Sequence, residues 1–412
     1  MSAPNTTHAD AMPLDELDVS SPALFAQDSW GPYFAKLRRE RPVHFCPASP
    51  YGPYWSITRF ADIQAVELDH ATFSSASERG GIRIDNRLGG SFISSDPPRH
   101  TRERKTVAPV AAPTNLASYE ILIRDRTRKL LASLPRNETF DWAKVVSSEL
   151  TVSMLATLFD FPMNERHRLA YWSDALVCDH AAPDAPVKSE EERVAVLFEM
   201  ADAFRALWNE RIRQEPKLDL ISMMAHNPDM QELTEREFIG NLVLLVVGGY
   251  DTTKNSMSGG ILALSENPDQ RMKLEADRSL VPGMVGESVR YQSPIIHMCR
   301  TATRDVVLAD QAIRQGERVV LWYVSANRDD AAIDEPDSFV IDRPKPNKHM
   351  AFGAGIHRCV GDRLATLQLR ILWEEIVDQD LVVDIDGQPE RQYSNFIRGF
   401  SRLPVRIRAK SG

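Results

Sequence analysis

The sequence predicts a mainly α-helical fold with small β regions. Between residues 119 and 210, apolar residues recur mostly at helical spacing, interrupted at prolines. Thr234 and Glu237 have the spacing of a capping box, and the apolar run behind them predicts the longest helix, which continues to about Ser265. Runs rich in β-branched and aromatic residues lie near the two ends of the chain, so we expect only small sheets there.

Composition indicates a single globular unit. The 412 residues are 43% hydrophobic and 26% charged, which is typical of a protein with a sizeable core. We find no internal repeat and no linker, so we expect a flexible lead-in over residues 1–30 and one domain over residues 31–412. The formal net charge of -9 argues against nucleic acid as the main partner, and we expect a monomer.

The sequence shows no signal for export or for a membrane anchor. Residues 1–13 lack a basic start followed by an apolar core, and no apolar run reaches the roughly 18 residues that cross a bilayer. The four cysteines, Cys46, Cys178, Cys299 and Cys359, are too scattered for a disulfide framework. We therefore expect a cytoplasmic protein.

Short elements precede the long helix. Residues 33–41 are typical of a short amphipathic helix, and residues 53–58 predict a strand whose neighbour is the run 43–46. The stretch 74–90 has little periodicity and predicts a long loop. A helix is expected to begin around Pro98, at the end of an Asp-Pro-Pro run, and it carries His100 and Arg104 on one face.

Behind the long helix, a further helix and more strands are expected. The helix follows Pro282 and carries Glu287 and Arg290, which are three residues apart and either form a solvated pair or a buried structural one. Strands are expected between residues 306 and 323, and a small β region between residues 381 and 407.

A single cysteine lies in a glycine-rich stretch that runs from Phe352 to Gly361. Gly353 and Gly355 permit backbone conformations and close approaches that other residues resist, and an apolar helix follows Cys359. The unpaired N–H groups and the dipole of a helix N-terminus favour an anionic sulfur. Cys359 is therefore interpreted as a nucleophile or a metal ligand, and a buried structural cysteine is the alternative.

The long helix is interrupted by Gly248 and Gly249, followed by Asp251 and Thr252. Two adjacent glycines cost roughly 1 kcal/mol each in a helix interior, which suggests that another group approaches the backbone there. Leu244, Val247, Gly248, Asp251 and Thr252 recur at helical spacing, so we expect them to share a face. An acid next to an alcohol suits proton transfer into an apolar pocket, whereas a helix kink with a polar plug is the alternative.

These stretches together resemble the cytochrome P450 haem-thiolate monooxygenases. The three motifs are Phe352-Gly353-x-Gly355-x-His357-x-Cys359-x-Gly361 for the cysteine-ligand loop, Glu287-x-x-Arg290 for the helix motif, and Gly248-Gly249-x-Asp251-Thr252-Thr253 for oxygen activation. They occur in the family's order and at its usual separations. The resemblance implies the cytochrome P450 fold, with the long central helix over the haem.

The same resemblance implies the cofactor and the roles of the site residues. Haem b would be bound with Cys359 as the proximal iron ligand. Its propionates would be held by His100 and Arg104 on one side and by Arg300 and His357 on the other. Asp251 and Thr252 would relay protons to the dioxygen site, and Glu287 with Arg290 would form a structural ion pair.

Electrons are expected to come from other proteins. The chain has no Gly-x-Gly-x-x-Gly fingerprint for a dinucleotide and no cysteine cluster for an iron–sulfur centre. The resemblance therefore implies a separate ferredoxin and an NAD(P)H-dependent ferredoxin reductase. Four basic residues flank the cysteine side and either form a docking patch for an acidic partner or a solvated rim: Arg102, Lys105, Arg358 and Arg363.

Finer matches resemble the bacterial alkane-hydroxylase branch, which oxidises terminal carbons of medium-chain alkanes, fatty acids and some terpenes. The chain departs from that branch at Tyr250, where Asn is usual, and at Cys299, where Arg is usual. A narrow apolar channel would be needed to force attack at a chain end. Its expected walls are Leu244, Val247, Gly248, Ile295, Ile296 and the Gly80 to Phe92 loop.

Two alternatives share parts of this pattern. A terpene or steroid hydroxylase would have the same motifs and a wider pocket. A haem-thiolate isomerase, peroxygenase or ligand sensor would not activate O2 with external electrons, and the Asp251–Thr252 pair disfavours it.

Overall fold

Helices dominate the computed structural model, which describes residues 6–85 and 89–409. Eleven helices precede the central one in the described part: α1 (Thr6–Ala11), α2 (Pro22–Ala26), α3 (Gly31–Glu40), α4 (Phe60–Leu68), α5 (Arg99–Val107), α6 (Pro113–Ser133), α7 (Glu149–Phe159), α8 (His167–Val177), α9 (Glu190–Arg211), α10 (Leu220–His226) and α11 (Pro228–Gln231). The central helix and those after it are α12 (Glu235–Glu266), α13 (Pro268–Ala276), α14 (Val281–Gln292), α15 (Tyr323–Ala326) and α16 (Asp362–Asp378). The predicted mainly α-helical class is confirmed.

The strands form small sheets. They are β1 (Val43–Cys46), β2 (Tyr54–Ile57), β3 (Phe73–Ser74), β4 (Thr139–Asp141), β5 (His297–Ala302), β6 (Val306–Leu308), β7 (Gln311–Ile313), β8 (Arg318–Trp322), β9 (Leu381–Ile385), β10 (Glu390–Arg391), β11 (Phe400–Arg402) and β12 (Pro404–Ala409). The largest sheet has the order β1-β2-β8-β5-β3, so it joins strands from both ends of the chain. Its parallel pair is β2 with β8, and its other neighbours are antiparallel.

The other sheets have two or three strands each. They are β4-β12-β9, β6-β7 and β10-β11. The predicted pairing of 43–46 with 53–58 is confirmed, with Val43 opposite Ile57. Strand β5 was not expected, because all but one of its residues are buried and the alternating polar pattern of a half-exposed strand is missing.

The segment before α3 packs against the core, which corrects the prediction of a flexible lead-in for the part that is described. Leu17, Val19 and Phe25 are buried in one cluster with Trp322 of β8. Lys36 of α3 donates three hydrogen bonds to carbonyl oxygens between residues 9 and 12. The sequence does not predict these contacts, because the apolar residues of the segment lack clear periodicity. The single-domain organisation of residues 31–412 stays a prediction.

Helix α12 begins as predicted and crosses the whole core. Thr234 caps it, since the Glu237 N–H donates to Thr234 Oγ1 over 3.4 Å and the Thr234 N–H donates to Glu237 Oε2 over 2.8 Å. Its first half packs into one large apolar cluster through residues such as Leu242 and Val246. Its second half packs into another through residues such as Ile261. The change of cluster occurs at the Gly248–Thr253 segment, which places this segment between the two halves of the core.

No helix within the described ranges is both long enough and apolar enough to cross a membrane.

Candidate active site

A deep cavity separates the middle of α12 from the cysteine loop. Its α12 side includes Leu244, Val247, Gly248 and Thr252, and its opposite side includes Cys359. Apolar side chains from other elements close it: Ile82, Phe92, Ile93, Ile295, Met298 and Phe396. The two most specific sequence motifs therefore face each other across an apolar space.

The cysteine loop depends on glycines at two positions. Gly353 and Gly355 have φ values of +65° and +63°, which L-amino acids with a side chain rarely adopt. A Cβ on Gly355 would also lie 2.4 Å from the carbonyl oxygen of Glu67 in α4. The Cys359 N–H donates to the Phe352 carbonyl over 2.8 Å, which closes the loop and holds the cysteine at the cavity.

The Cys359 thiol is exposed to the cavity and forms no disulfide. Its protein surroundings raise the pKa of Cys359, because burial outweighs the N–H of Gly361 and the nearby charges of Arg104 and Arg358. A cysteine that faces a cavity from the start of a helix can act as a metal ligand or as a nucleophile.

Two histidines and two arginines gather beside the cysteine. The rings of His100 and His357 lie 4.3 Å apart between centroids, so they are neighbours. Their assignment to two sides of the propionates stays a prediction. Arg104, Arg300 and His357 line the cavity, and His100 lies behind them. The Arg104 guanidinium donates to the carbonyl oxygen of Arg358, and Arg300 Nη1 donates to that of Cys299 over 2.7 Å.

Burial favours the neutral form of both histidines. Burial and the nearby arginines lower the pKa of His100 to about 4 and that of His357 further still. Neither nitrogen of His100 has a hydrogen-bond partner among the described residues, nor has Nδ1 of His357. Ser75 Oγ lies 3.0 Å from the other nitrogen of His357. Buried nitrogens without partners beside two arginines fit an anionic ligand such as the propionates of haem.

The glycines of α12 meet different surroundings. A Cβ on Gly248 would have no atom within 4 Å, so this residue opens directly onto the cavity. A Cβ on Gly249 would lie 2.8 Å from Cδ1 of Leu155 in α7, so this residue permits close helix packing. Thr252 lines the cavity and its hydroxyl donates to the Gly248 carbonyl over 2.8 Å. A large flat ligand can therefore approach the α12 backbone at Gly248, next to a hydroxyl.

Asp251 does not share the cavity face with its predicted companions. Its side chain is fully buried toward α8, where Oδ2 accepts from Ser173 Oγ over 2.7 Å. Oδ1 lies 3.2 Å from Nζ of Lys254, yet accepts no hydrogen bond from the described residues. Helical spacing alone does not explain the difference, because Val247 and Gly248 are also adjacent and both line the cavity. The contacts with Ser173 and Lys254 hold the Asp251 side chain on the side of α8.

Lys254 connects Asp251 to a second cavity, which charged and apolar residues line together. Its Nζ donates to Oδ1 of Asp174 over 3.1 Å, and both Lys254 and Asp174 line this cavity on the outer side of α12. Burial alone would lower the pKa of Lys254, but the two carboxylates outweigh it and raise that pKa well above the usual value. Burial raises the pKa of Asp174. Asp251 is therefore paired with Lys254, and the other partner of Lys254, Asp174, lines the second cavity.

The two departures from the alkane-hydroxylase pattern point away from the cavity. Tyr250 is buried, and its hydroxyl lies 2.7 Å from Ser148 Oγ. The Lys254 ammonium lies 4.4 Å from the centroid of the same ring. Cys299 is fully buried in β5, and burial raises its pKa to about 12, so it is an inert thiol.

Glu287 and Arg290 form a buried pair with all donors engaged. The Arg290 guanidinium donates to both Glu287 oxygens over 2.7 and 2.8 Å. Its remaining donors reach the carbonyls of Asn327, Pro336 and Ser338 over 2.7 to 2.9 Å. The pair ties α14 to the irregular segment before the cysteine loop, so the solvated alternative is wrong.

The predicted substrate walls are brought together with one exception. Leu244, Val247, Gly248 and Ile295 line the cavity, whereas Ile296 is buried in the cluster around Trp322. Consecutive residues of an extended segment face opposite sides, so Ile295 and Ile296 could not both reach the cavity. The Gly80 to Phe92 loop contributes Ile82, Ser91 and Phe92, while positions 86–88 of it lie outside the described residues.

Some residues of the site carry no recognisable sequence signal. Glu67 and Ser173 contact the predicted residues Arg300 and Asp251 from distant parts of the chain. Tyr323 contacts Glu67 in turn, and Asp174 contacts Lys254. Within the described part, no group of three or more His, Cys, Asp or Glu side chains could hold a metal ion by itself. One thiol facing a mostly apolar cavity, with arginines and histidines at one end, fits a metal that is bound within a haem.

Comparisons with known proteins agree with this geometry. A profile of the cytochrome P450 family matches residues 187–410. Linalool 8-monooxygenase of Pseudomonas putida is 36% identical over 407 residues, which cover 95% of this chain and 99% of that protein. A methyl-branched lipid omega-hydroxylase of Mycobacterium bovis is 31% identical over 424 residues, with 97% of each chain covered.

A solved structure has the same fold. Cytochrome P450-153 from Novosphingobium aromaticivorans superimposes with a TM-score of 0.88 at 44% identity, covering 95% of this chain and 99% of that one. This protein therefore belongs to the cytochrome P450 family of monooxygenases and uses haem b.

Proposed function

We propose that this chain hydroxylates the terminal carbon of medium-chain alkanes or fatty acids, with Cys359 as the iron ligand. The observation that carries the proposal is the single cysteine facing Gly248 and Thr252 across an apolar cavity. Haem bound there supplies dioxygen activation and oxidation of an unactivated C–H bond. The mostly apolar walls favour an apolar substrate.

The chain's own residues have separate tasks in this proposal. Arg104, Arg300, His100 and His357 hold the propionates. The hydroxyl of Thr252 lies on the cavity face of α12, where dioxygen would bind. Asp251 supplies protons to this hydroxyl from the side of α8. Because Asp251 Oδ1 has no hydrogen bond, a rotation of this carboxyl breaks only the Ser173 contact and the Lys254 ion pair.

Terminal attack requires a cavity whose walls allow only the end of the substrate chain to reach the haem. A primary C–H bond is stronger than its secondary neighbours, so an open pocket gives subterminal products. Ile82, Phe92 and Ile295 close the space opposite Leu244 and Val247. The omega-hydroxylase among the relatives and the sequence resemblance both support the terminal position. The 36% identical linalool 8-monooxygenase supports the second candidate, a terpene hydroxylase.

Two neighbouring isoleucines provide a matched test of the channel. Ile295→Ala widens the cavity, so the ratio of terminal to subterminal alcohols from octane should fall about tenfold, since one to three kcal/mol of packing is lost. Ile296→Ala should lower the free energy of unfolding by about 2–5 kcal/mol and leave the ratio unchanged. Products are measured by gas chromatography with the holoenzyme and a surrogate ferredoxin system.

The same assay distinguishes the candidates. Octane, decanoic acid and linalool are offered to the wild-type enzyme at equal concentrations. Terminal alcohols from octane or decanoic acid are the expected result. Turnover of linalool alone, or an even mixture of subterminal alcohols, would replace the terminal-hydroxylase proposal with the terpene one.

An acidic ferredoxin is the electron donor that we propose. Arg102, Lys105, Arg358 and Arg363 are all exposed, and the contact from Arg104 to the Arg358 carbonyl joins α5 to the cysteine loop. Arg358 and Arg363 flank Cys359 in sequence on a protein of net charge -9, although Arg102 and Arg358 also pair with Asp229 and Asp362. Electron transfer should therefore slow as salt is added, and a rate independent of salt would exclude this surface.

A further inference from the structure

Glu67, in the last turn of α4, is a buried carboxylate with no role in the tasks above. Its side chain has 0% exposure, and Oε2 accepts from Arg300 Nη2 over 3.0 Å. Oε1 accepts from the Tyr323 hydroxyl. Arg300 and Tyr323 both line the cavity, so Glu67 stands directly behind them.

The same carboxylate belongs to the packing of the cysteine loop. A Cβ on Gly355 would lie 2.4 Å from the Glu67 carbonyl oxygen, and one on Gly353 would lie 3.3 Å from the Tyr323 hydroxyl. Glu67, Tyr323 and the loop that carries Cys359 therefore form one close-packed unit. The position of Arg300 is fixed from behind by this unit and not only by a ligand in front.

Two arginines supply permanent positive charge at this end of the cavity. Among the described residues that line it, they are Arg104 and Arg300. The Glu67 carboxylate compensates part of the positive charge of Arg300. A haem propionate beside Arg300 would already neutralise it, and burying a second carboxylate costs solvation free energy. A purely compensating role therefore does not account for Glu67 once the haem is bound.

We propose that Glu67 positions Arg300 toward the propionates and, through its negative charge, keeps the reduction potential of the bound haem low. This inference rests on the proposed function, which places the haem between α12 and the cysteine loop. Reduction adds an electron to the haem, and a nearby buried anion opposes that addition. Removing the anion also leaves Arg300 fully available to the propionates, and this second effect has the same sign.

The test is the midpoint potential of the holoenzyme, measured by spectroelectrochemical titration at constant pH and salt. Glu67→Gln should shift the potential to more positive values. Tyr323→Phe removes one hydrogen bond to Glu67 but no charge, so it should lower the melting temperature with a much smaller shift. Asp28→Asn is a control, because Asp28 pairs with Arg391 and Arg398 and none of these three residues lines the cavity. It should lower the melting temperature with no shift.

An unchanged potential in Glu67→Gln, with a lowered melting temperature, would overturn the inference and leave Glu67 as a structural residue. If Glu67→Gln does not retain haem, Arg300→Gln is compared with the double variant Glu67→Gln/Arg300→Gln. The double variant should have the more positive potential, and equal values would again overturn the inference. Failure of the proposed function looks different: the wild-type reduced carbon monoxide complex would then lack the absorption band of a thiolate-ligated haem.

Discussion

Two buried acid–cation pairs with the same i,i+3 spacing behave in opposite ways. In α14, the Glu287 carboxylate accepts from Arg290, from Arg343 and from the N–H of Val340, and every Arg290 donor group finds an acceptor. In α12, Asp251 accepts one hydrogen bond, from Ser173, and has an oxygen without any. Spacing alone does not distinguish the two pairs; their hydrogen-bond partners do.

The difference teaches where the protein permits a carboxylate to move. A fully satisfied buried pair is held in one geometry and stabilises the fold. Asp251 has one oxygen without a hydrogen bond, and its neighbour Lys254 also pairs with Asp174. The Asp251 carboxylate can therefore change partners at a low cost in free energy. Such a group beside Thr252 suits proton transfer, whereas the Glu287–Arg290 pair suits the support of the cysteine loop.

The largest effect is expected for Arg290→Lys. Lysine keeps the charge but cannot reproduce the planar fork or reach the carbonyls of Asn327, Pro336 and Ser338 together. Breaking a buried network of this kind costs about 3–5 kcal/mol, so we expect little folded holoenzyme. Urea unfolding and the yield of haem-loaded protein measure the loss. Wild-type stability in this variant would remove the contrast between the pairs.

Asp251→Asn should affect turnover more than folding. Asparagine fills the same space but cannot transfer a proton, so product formation should fall about 100-fold. Lys254 keeps Asp174, which limits the loss of stability to less than that of Arg290→Lys. The matched control is Asp174→Asn, which removes the other anion of Lys254 and should keep most of the turnover. Equal losses in the two variants would contradict the distinct role of Asp251.

The smallest effect is expected for Tyr250→Phe. The hydroxyl is engaged with Ser148 over 2.7 Å and does not reach Thr252, so its loss should cost about 1 kcal/mol of unfolding free energy. The ratio of product to consumed NADH should stay at the wild-type value. A marked rise in hydrogen peroxide in this variant would show that Tyr250 belongs to the proton path.

Local signals made much of the fold predictable. The capping box at Thr234 fixed the start of α12, and the glycine pattern around Cys359 identified a loop with two left-handed residues. These signals depend on a few adjacent residues, so one sequence contains them. The identity of the ligand, by contrast, came from resemblance, because a lone cysteine in a loop has several chemical uses.

Tertiary partners could not be predicted in the same way. Glu67 meets Arg300 across 233 positions of sequence, and Asp174 meets Lys254 across 80. Ile295 and Ile296 are adjacent residues of the same type, so the sequence does not show which of them lines the cavity. In the folded chain Ile295 lines the cavity and Ile296 packs into the core. The predicted face of α12 is wrong at Asp251, because Ser173 of α8 and Lys254 hold its side chain away from the cavity, and Ser173 is distant in sequence.

The coupling of electrons to product in Thr252→Ala tests the central claim most directly, namely that the hydroxyl over the cavity and the acid behind it deliver protons for oxygen activation. The measurement is the fraction of consumed NADH recovered as hydroxylated product, with hydrogen peroxide determined in parallel and Thr252→Ser as the control. We predict that Thr252→Ala consumes NADH but releases most of the electrons as hydrogen peroxide, whereas Thr252→Ser stays coupled. Full coupling in Thr252→Ala would contradict the account.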